Sequence, residues 1–251
     1  MKFSVCTDAV FAGLPFFEAA QLSREAGADG LEFWGWWTKD LTEVSRGLRE
    51  SGLPLCAMCT PFVSLTDPCC RSEYLAGLCD TLRVCRELSC RTVISQVGQE
   101  LNTSRERQTE SIIDGLKTAA ALLVGTGITL VIEPLNTRVD HPGYFLTRSQ
   151  DAYRIVREVN SPQVKVLFDI YHQQITEGDI LTRMLEGLSD IGHIHFAGSA
   201  GRHEPENGEV SYEFLFRRLG QAGYSRFAGL EYFPQSDAAG SVRKVCRELR
   251  G

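Results

Sequence analysis

ITLVIE (128–133), VKVLFD (164–169), GHIHFA (192–197) and FAGLEY (227–232) share one pattern: a short β-rich apolar run with an ionisable residue at or near its end. Four similar runs precede them, KFSVCT (2–7), DGLEFW (29–34), LPLCAMCT (53–60) and RTVISQV (91–97). Between the runs, apolar residues recur at helical spacing. Leu14 to Gly27 keeps Phe16, Phe17, Ala20 and Leu22 near one face, and Arg105 to Val124 does the same with Ile112, Ile113, Leu116, Ala119 and Leu123. Gly27, Gly52, Gly125 and Gly223 stand where helices end and suit left-handed caps. Eight strands, each followed by a helix, predict an all-parallel sheet with right-handed crossovers, and eight is the number that closes a barrel. The expected fold class is therefore α/β, a single (β/α)8 TIM barrel in which residues 1–251 form one domain. The competing fold, an open doubly wound sheet, normally brings a Gly-rich phosphate turn. No GxGxxG or GxxxxGK[ST] follows any of these runs.

Bulk properties agree with one barrel and narrow the partners. The chain has 251 residues and 43% hydrophobic content, enough for one large core. A formal charge of −6 without any Lys/Arg run argues against nucleic acid. No apolar stretch approaches the roughly 20 residues of a membrane span. The chain starts on strand-like MKFSVCT with no charged-then-apolar leader, so a cytoplasmic protein is expected. A small-molecule substrate is the expected partner; a homo-oligomer is an open alternative. The nine cysteines are odd in number and lack an export signal, so reduced thiols used for packing are expected. Cys56 and Cys59 make a CxxC, but within a strand they face opposite sides and cannot pinch one metal.

In a barrel of this type the site lies at the carboxyl ends of the strands. Strand five ends in Glu133, strand six in Asp169, strand seven carries His195, and strand eight ends with Glu231. A carboxylate closing an apolar run is expensive unless paired or metal-bound. Four such residues on consecutive strands, at one level, point into a shared space. Three carboxylates and an imidazole form a hard set suited to a divalent metal, Mn²⁺ or Mg²⁺ first, with Co²⁺ or Zn²⁺ as alternatives. The plain reading is a network of capped charges tying strands to helix amino termini. His193 shares the parity of His195, so it is either another ligand or a buried hydrogen-bonder beneath the site.

IEPLN (132–136), FDIYHQQ (168–174), HIHFAG (193–198), GRHEPENGEVSY (201–212) and LEYFPQ (230–235) resemble the hydroxypyruvate isomerase family, a branch of the xylose-isomerase-like barrels with the ketose 3-epimerases as relatives. The distinctive motifs fill the second half of the chain; the first half matches in pattern only. The resemblance implies Glu133, Asp169, His195 and Glu231 as metal ligands and His172 and Arg202 as substrate contacts. Two positions depart from a simple match. The strand-seven ligand is often Gln in hydroxypyruvate isomerases and His in the epimerases, and here it is His195. The epimerases usually carry a second Glu where this chain has Val139.

The implied chemistry moves a carbonyl along a small α-hydroxy carbonyl compound, of hydroxypyruvate, tartronate semialdehyde or 2-oxotetronate type. A carbon-bound proton must leave and return next door, through an enediolate that a metal stabilises. Glu133 and Glu231, three strands apart, fit the base and acid. Arg202 suits a substrate carboxylate because its fork is bidentate. The alternatives are a ketose 3-epimerase, a metal-dependent DNA-repair nuclease, which needs more than five histidines, and a non-catalytic barrel module. Trp34, Trp36 and Trp37 either wall the pocket or serve subunit contacts. Glu32 either supports the metal site or forms a plain salt bridge. Gln96, Asn136, Arg138, His141, His203 and Glu204 lie at strand ends or in loops without a decided role.

Overall fold

The computed structural model describes residues 1–250. Its strands are β1 (Lys2–Cys6), β2 (Gly30–Glu32), β3 (Leu55–Cys59), β4 (Thr92–Ser95), β5 (Thr129–Ile132), β6 (Val164–Asp169), β7 (Ile191–Phe196) and β8 (Phe227–Leu230). Its α-helices are α1 (Thr7–Val10), α2 (Phe16–Glu25), α3 (Leu41–Ser51), α4 (Arg71–Leu88), α5 (Arg105–Leu123), α6 (Ser149–Val159), α7 (Ile170–Thr176), α8 (Ile180–Glu186), α9 (Tyr212–Gln221) and α10 (Ala238–Arg250). The parallel strands close into a barrel in the order β1 to β8, so the expected (β/α)8 fold is the observed one. Among the described residues no helix is long and apolar enough to cross a membrane. None of the nine cysteines forms a disulfide. Cys56 and Cys59 are buried, as packing thiols should be, whereas Cys69 and Cys79 are exposed and do not fit that reading.

Two compact units can be distinguished along the chain, Met1–Met58 together with the chain from His193 on, and Cys59–Gly192. In the first, alternation separates core from site. Phe3 of β1 and Phe196 of β7 join Tyr212 and Phe216 of α9 in an aromatic cluster, with centroid separations of 5.0–6.0 Å. Their strand neighbours of opposite parity, Ser4 and His195, are buried polar groups. The pairing of β2 with β3 slips between Leu31 and Glu32, a local irregularity at the point where Glu32 is needed.

The second unit builds its core from apolar helix faces. Ile112, Leu116, Ala119 and Leu123 of α5 are buried, as the 3.6-residue spacing requires. Ser104 caps α5 by accepting from the Arg107 N–H at 3.3 Å. The anticipated glycines all adopt positive φ, with Gly52 the cap of α3 at 69°. Ser89 and Asn160 fill the same role after α4 and α6, at φ 57° and 52°, positions that a search for Gly overlooks.

Gly187 closes α8 against the ring of Tyr153 on α6, and a Cβ there would overlap that ring. Tyr153 also donates its hydroxyl to the Arg183 carbonyl at 3.2 Å, which limits its retreat. Gly187→Ala should therefore destabilise the protein by about 1–3 kcal/mol, the usual result of overpacking. Thermal melting should show a lower Tm. An unchanged Tm would mean that Tyr153 rotates away at little cost.

Candidate active site

The first unit assembles a buried chain of charged side chains around Glu32. Glu32 accepts from His193 Nε2 at 2.9 Å on Oε1 and from His195 Nε2 at 2.8 Å on Oε2. Ser4 Oγ also donates to Oε1. All four residues are at most 2% exposed. β8 leaves room for them by carrying glycine: a Cβ at Gly229 would stand 2.6 Å from Glu32 Oε1 and 2.8 Å from His195 Cδ2. Burial pushes the Glu32 carboxyl up, but the charges and hydrogen bonds of His193 and His195 outweigh it and hold it well below the usual carboxylate range. Glu32, His193 and His195 thus form one buried group of a kind that can hold a metal ion.

Beyond His195 lies Glu231, one residue past the end of β8. Its Oε1 accepts from Trp34 Nε1 at 2.6 Å, and its Oε2 from Arg202 Nη2 at 2.5 Å. His195 Nδ1 is 3.3 Å from Oε2 but has no hydrogen-bond partner. Because Glu32 takes the Nε2 proton, a neutral His195 presents a bare lone pair at Nδ1 to a carboxylate oxygen. Two lone pairs in that position call for a cation between them, a proton or a metal. Consistently, burial lowers the His195 pKa, yet Glu231 and Glu32 together push it well above the ordinary histidine value. Burial raises Glu231, but the charges of His195 and Arg202 win and hold it well below the carboxylate range.

The second unit builds a different cluster. Asp169 is the last residue of β6 and caps α7: its Oδ1 accepts from the N–H groups of Tyr171 at 2.8 Å and His172 at 3.4 Å. This realises the capped-charge reading for one of its oxygens. The other, Oδ2, faces His172 Nε2 at 3.6 Å. His172 Nδ1 receives hydrogen bonds from Asn136 Nδ2 at 2.7 Å and from the Asn136 backbone at 3.4 Å. With Nδ1 an acceptor, the proton of a neutral His172 sits on Nε2, toward Asp169. Glu133 stands one residue past β5 and is 6% exposed, and its carbonyl accepts from Tyr144.

The remaining candidate residues have unequal roles in the structure. Arg202 was expected to meet substrate; the structure gives it Glu231 as a partner and a left-handed backbone at φ 58°. Trp36 and Trp37 pack edge to face in a short turn, and Trp37 is 40% exposed. His203 bonds the Phe233 carbonyl and Glu204 accepts from the Gln235 N–H, so both shape the loop. Gln96 is half-buried. Asn136 emerges as a fully buried partner of His172, Asp140 and Val139, which the sequence left undecided. Glycine inside FAGLEY was the available signal for a close approach at β8.

The fold and these buried acid–histidine clusters define a xylose isomerase-like TIM barrel, and the model of that family matches residues 20–250. The chain belongs to this family. Its relatives include isomerases. A 2-oxo-tetronate isomerase of Cupriavidus necator is 40% identical over 141 residues, 56% of this chain and 54% of that protein, so the match spans about half of that relative's length. The hydroxypyruvate isomerase of Escherichia coli is 27% identical over 252 residues, 97% of each chain. Among solved structures, an AP endonuclease of family 2 from Brucella melitensis superposes with a TM-score of 0.93 at 30% identity, covering 98% of both chains.

Removing the charge at the centre of the first cluster has a defined consequence. Glu32→Gln leaves two buried histidines facing an amide that can accept from only one side. The expected loss is about 3–5 kcal/mol at pH 7, as for other broken buried pairs. Glu32 titrates lower in the folded than in the unfolded state, so its contribution is full above about 4.5 and is lost as pH falls from there. Melting curves should show the wild-type Tm falling more steeply below that pH than the variant's. Parallel slopes would remove Glu32 from the energetics of the cluster.

Proposed function

We propose that this protein is a metal-dependent isomerase that interconverts small α-hydroxy carbonyl acids of the hydroxypyruvate, tartronate semialdehyde or 2-oxotetronate type. The observation that carries the metal is the facing pair at His195 and Glu231, an orphaned imidazole nitrogen and a carboxylate oxygen with a carboxylate behind the ring. A histidine whose far nitrogen is held by a carboxylate is the usual arrangement at a metal centre. Glu133, Asp169, His195 and Glu231 are the proposed ligands; all are buried, and each offers one ligand atom. Three carboxylates favour Mn²⁺ or Mg²⁺. When bound, a divalent ion supplies positive charge against the oxygens of an enediolate.

The chain's own residues would supply the rest. Glu133 and Glu231 act as the base and acid that carry the proton between neighbouring carbons. Arg202 and Trp34 fix Glu231 from both oxygens, so the carboxylate has one orientation toward the substrate. His172, whose Nε2–H is turned toward Asp169 by Asn136, is the proposed donor to a substrate oxygen beside that ligand, and Arg202 is the proposed partner of a substrate carboxylate. The names of the Cupriavidus and Escherichia relatives support hydroxy-keto acids as substrates. The Brucella protein is named an AP endonuclease instead; a formal charge of −6 speaks against a polyanionic substrate here.

Chelation by EDTA should abolish turnover of hydroxypyruvate or a 2-oxotetronate, and Mn²⁺, Mg²⁺ or Co²⁺ should restore it and raise the Tm. Full activity in metal-free protein would refute the mechanism.

Glu133→Gln and Glu231→Gln keep size and a coordinating oxygen but remove the proton acceptor. Each should lower kcat by at least about a hundredfold. Proton NMR in D2O should show no exchange into substrate for the variant that lacks the initiating base. Near-normal turnover in either variant at saturating metal would leave that Glu a ligand only.

A further inference from the structure

The structure assigns to Trp34 the part of a positioning residue: its indole N–H holds the Glu231 carboxylate, and the Asp8–Lys39 pair holds Trp34 in turn. Trp34 lies two residues beyond β2. Nε1 donates to Glu231 Oε1 at 2.6 Å, a short bond to an ionised acceptor. An indole has only this one donor and no acceptor, so the bond also fixes the rotation of the ring. The backbone is fixed as well: the Trp34 N–H donates to Asp8 Oδ2 at 2.9 Å. Lys39 Nζ binds the other Asp8 oxygen at 2.6 Å and lies 5.1 Å above the ring of Phe33. Both partners of that pair are largely shielded, with side chains 17% and 22% exposed.

The geometry divides labour on Glu231. Oε2 is occupied by Arg202 Nη2 and faced by His195 Nδ1. Trp34 is the donor on Oε1, so without it the carboxylate can swing about its terminal bond while Oε2 stays anchored. A swing of that kind misplaces an acid–base group without emptying the site. Such losses appear in kcat before KM. Trp34, Asp8 and Lys39 also line one cavity of about 250 Å³, together with Phe11 and Phe16. Trp34 thus touches both that cavity and Glu231, and replacing it by Phe keeps an aromatic ring while deleting the donor.

This inference rests on the proposed role of Glu231, and the first readout of its test needs no turnover. The chain holds three tryptophans, so ¹⁵N-labelled protein gives three indole N–H resonances. Trp34→Phe, Trp36→Phe and Trp37→Phe assign them one by one. The Trp34 resonance should lie furthest downfield, exchange slowest with solvent, and move upfield in Glu231→Gln, where a neutral amide replaces the carboxylate. In turnover assays Trp34→Phe should lower kcat by about tenfold with KM within about twofold. Asp8→Asn should weaken the same resonance shift and lower kcat less. A Trp34 resonance indifferent to Glu231→Gln, or a wild-type kcat in Trp34→Phe, would overturn the assignment. If the wild type turns over none of the hydroxy-keto acids yet the resonance responds to Glu231→Gln, the proposed function fails and the Trp34–Glu231 coupling stands.

Discussion

The carboxylate of Glu32 is the constraint on which the first unit depends. An ionised carboxyl group at 1% exposure is tolerable only if its oxygens are filled. Two imidazoles and a serine hydroxyl fill them, and all come from inward positions on β1 and β7. The residues of opposite parity, Phe3, Ile194 and Phe196, form the outer packing layer, so shifting either strand by one residue would bury the aromatic rings against the charge. Gly229 on β8 is the third condition, because any side chain there would press on both Glu32 and His195. Sheet register, aromatic core and polar interior are therefore consequences of one requirement.

That requirement also decides the chemistry of His195. By accepting the Nε2 proton, Glu32 selects the tautomer and turns Nδ1 toward Glu231. The second unit reaches a mirror-image solution at His172, where Asn136 donates to Nδ1 and leaves Nε2–H facing Asp169. One histidine is set to offer a lone pair and the other to offer a proton. The difference comes wholly from the neighbour: an obligate acceptor behind one ring and a donor behind the other.

Much of the frame was legible because it rests on local periodicity. Alternation in GHIHFA places His193 and His195 on one face, and the spacing within 105–124 gives α5 to within a residue. Boundaries shift where a strand gives way to a loop: Glu133 and Glu231 lie just beyond β5 and β8 and do not end them. What stayed hidden are contacts between residues remote in sequence. Nothing in DGLEFW tells that Glu32 meets two histidines more than 160 residues away. Arg202 shows a contact of the same hidden kind. Its residue type suits a substrate carboxylate, and the sequence does not show that a left-handed backbone also brings it to Glu231.

Glu231 shows how a group can be held in place and still remain available. A carboxylate has about four acceptor directions on its two oxygens. Trp34 takes one on Oε1 and Arg202 one on Oε2, leaving a direction on each oxygen. The imidazole nitrogen facing Oε2 at 3.3 Å contributes no donor when His195 is neutral, so it competes for none of them. The donors that are present keep the group ionised without saturating it. A proton can occupy the gap toward His195, because the charges of Glu231 and Glu32 favour the charged ring despite its burial. A divalent metal held by His195 and Glu231 would require that proton to leave, so metal binding and protonation would compete at this pair.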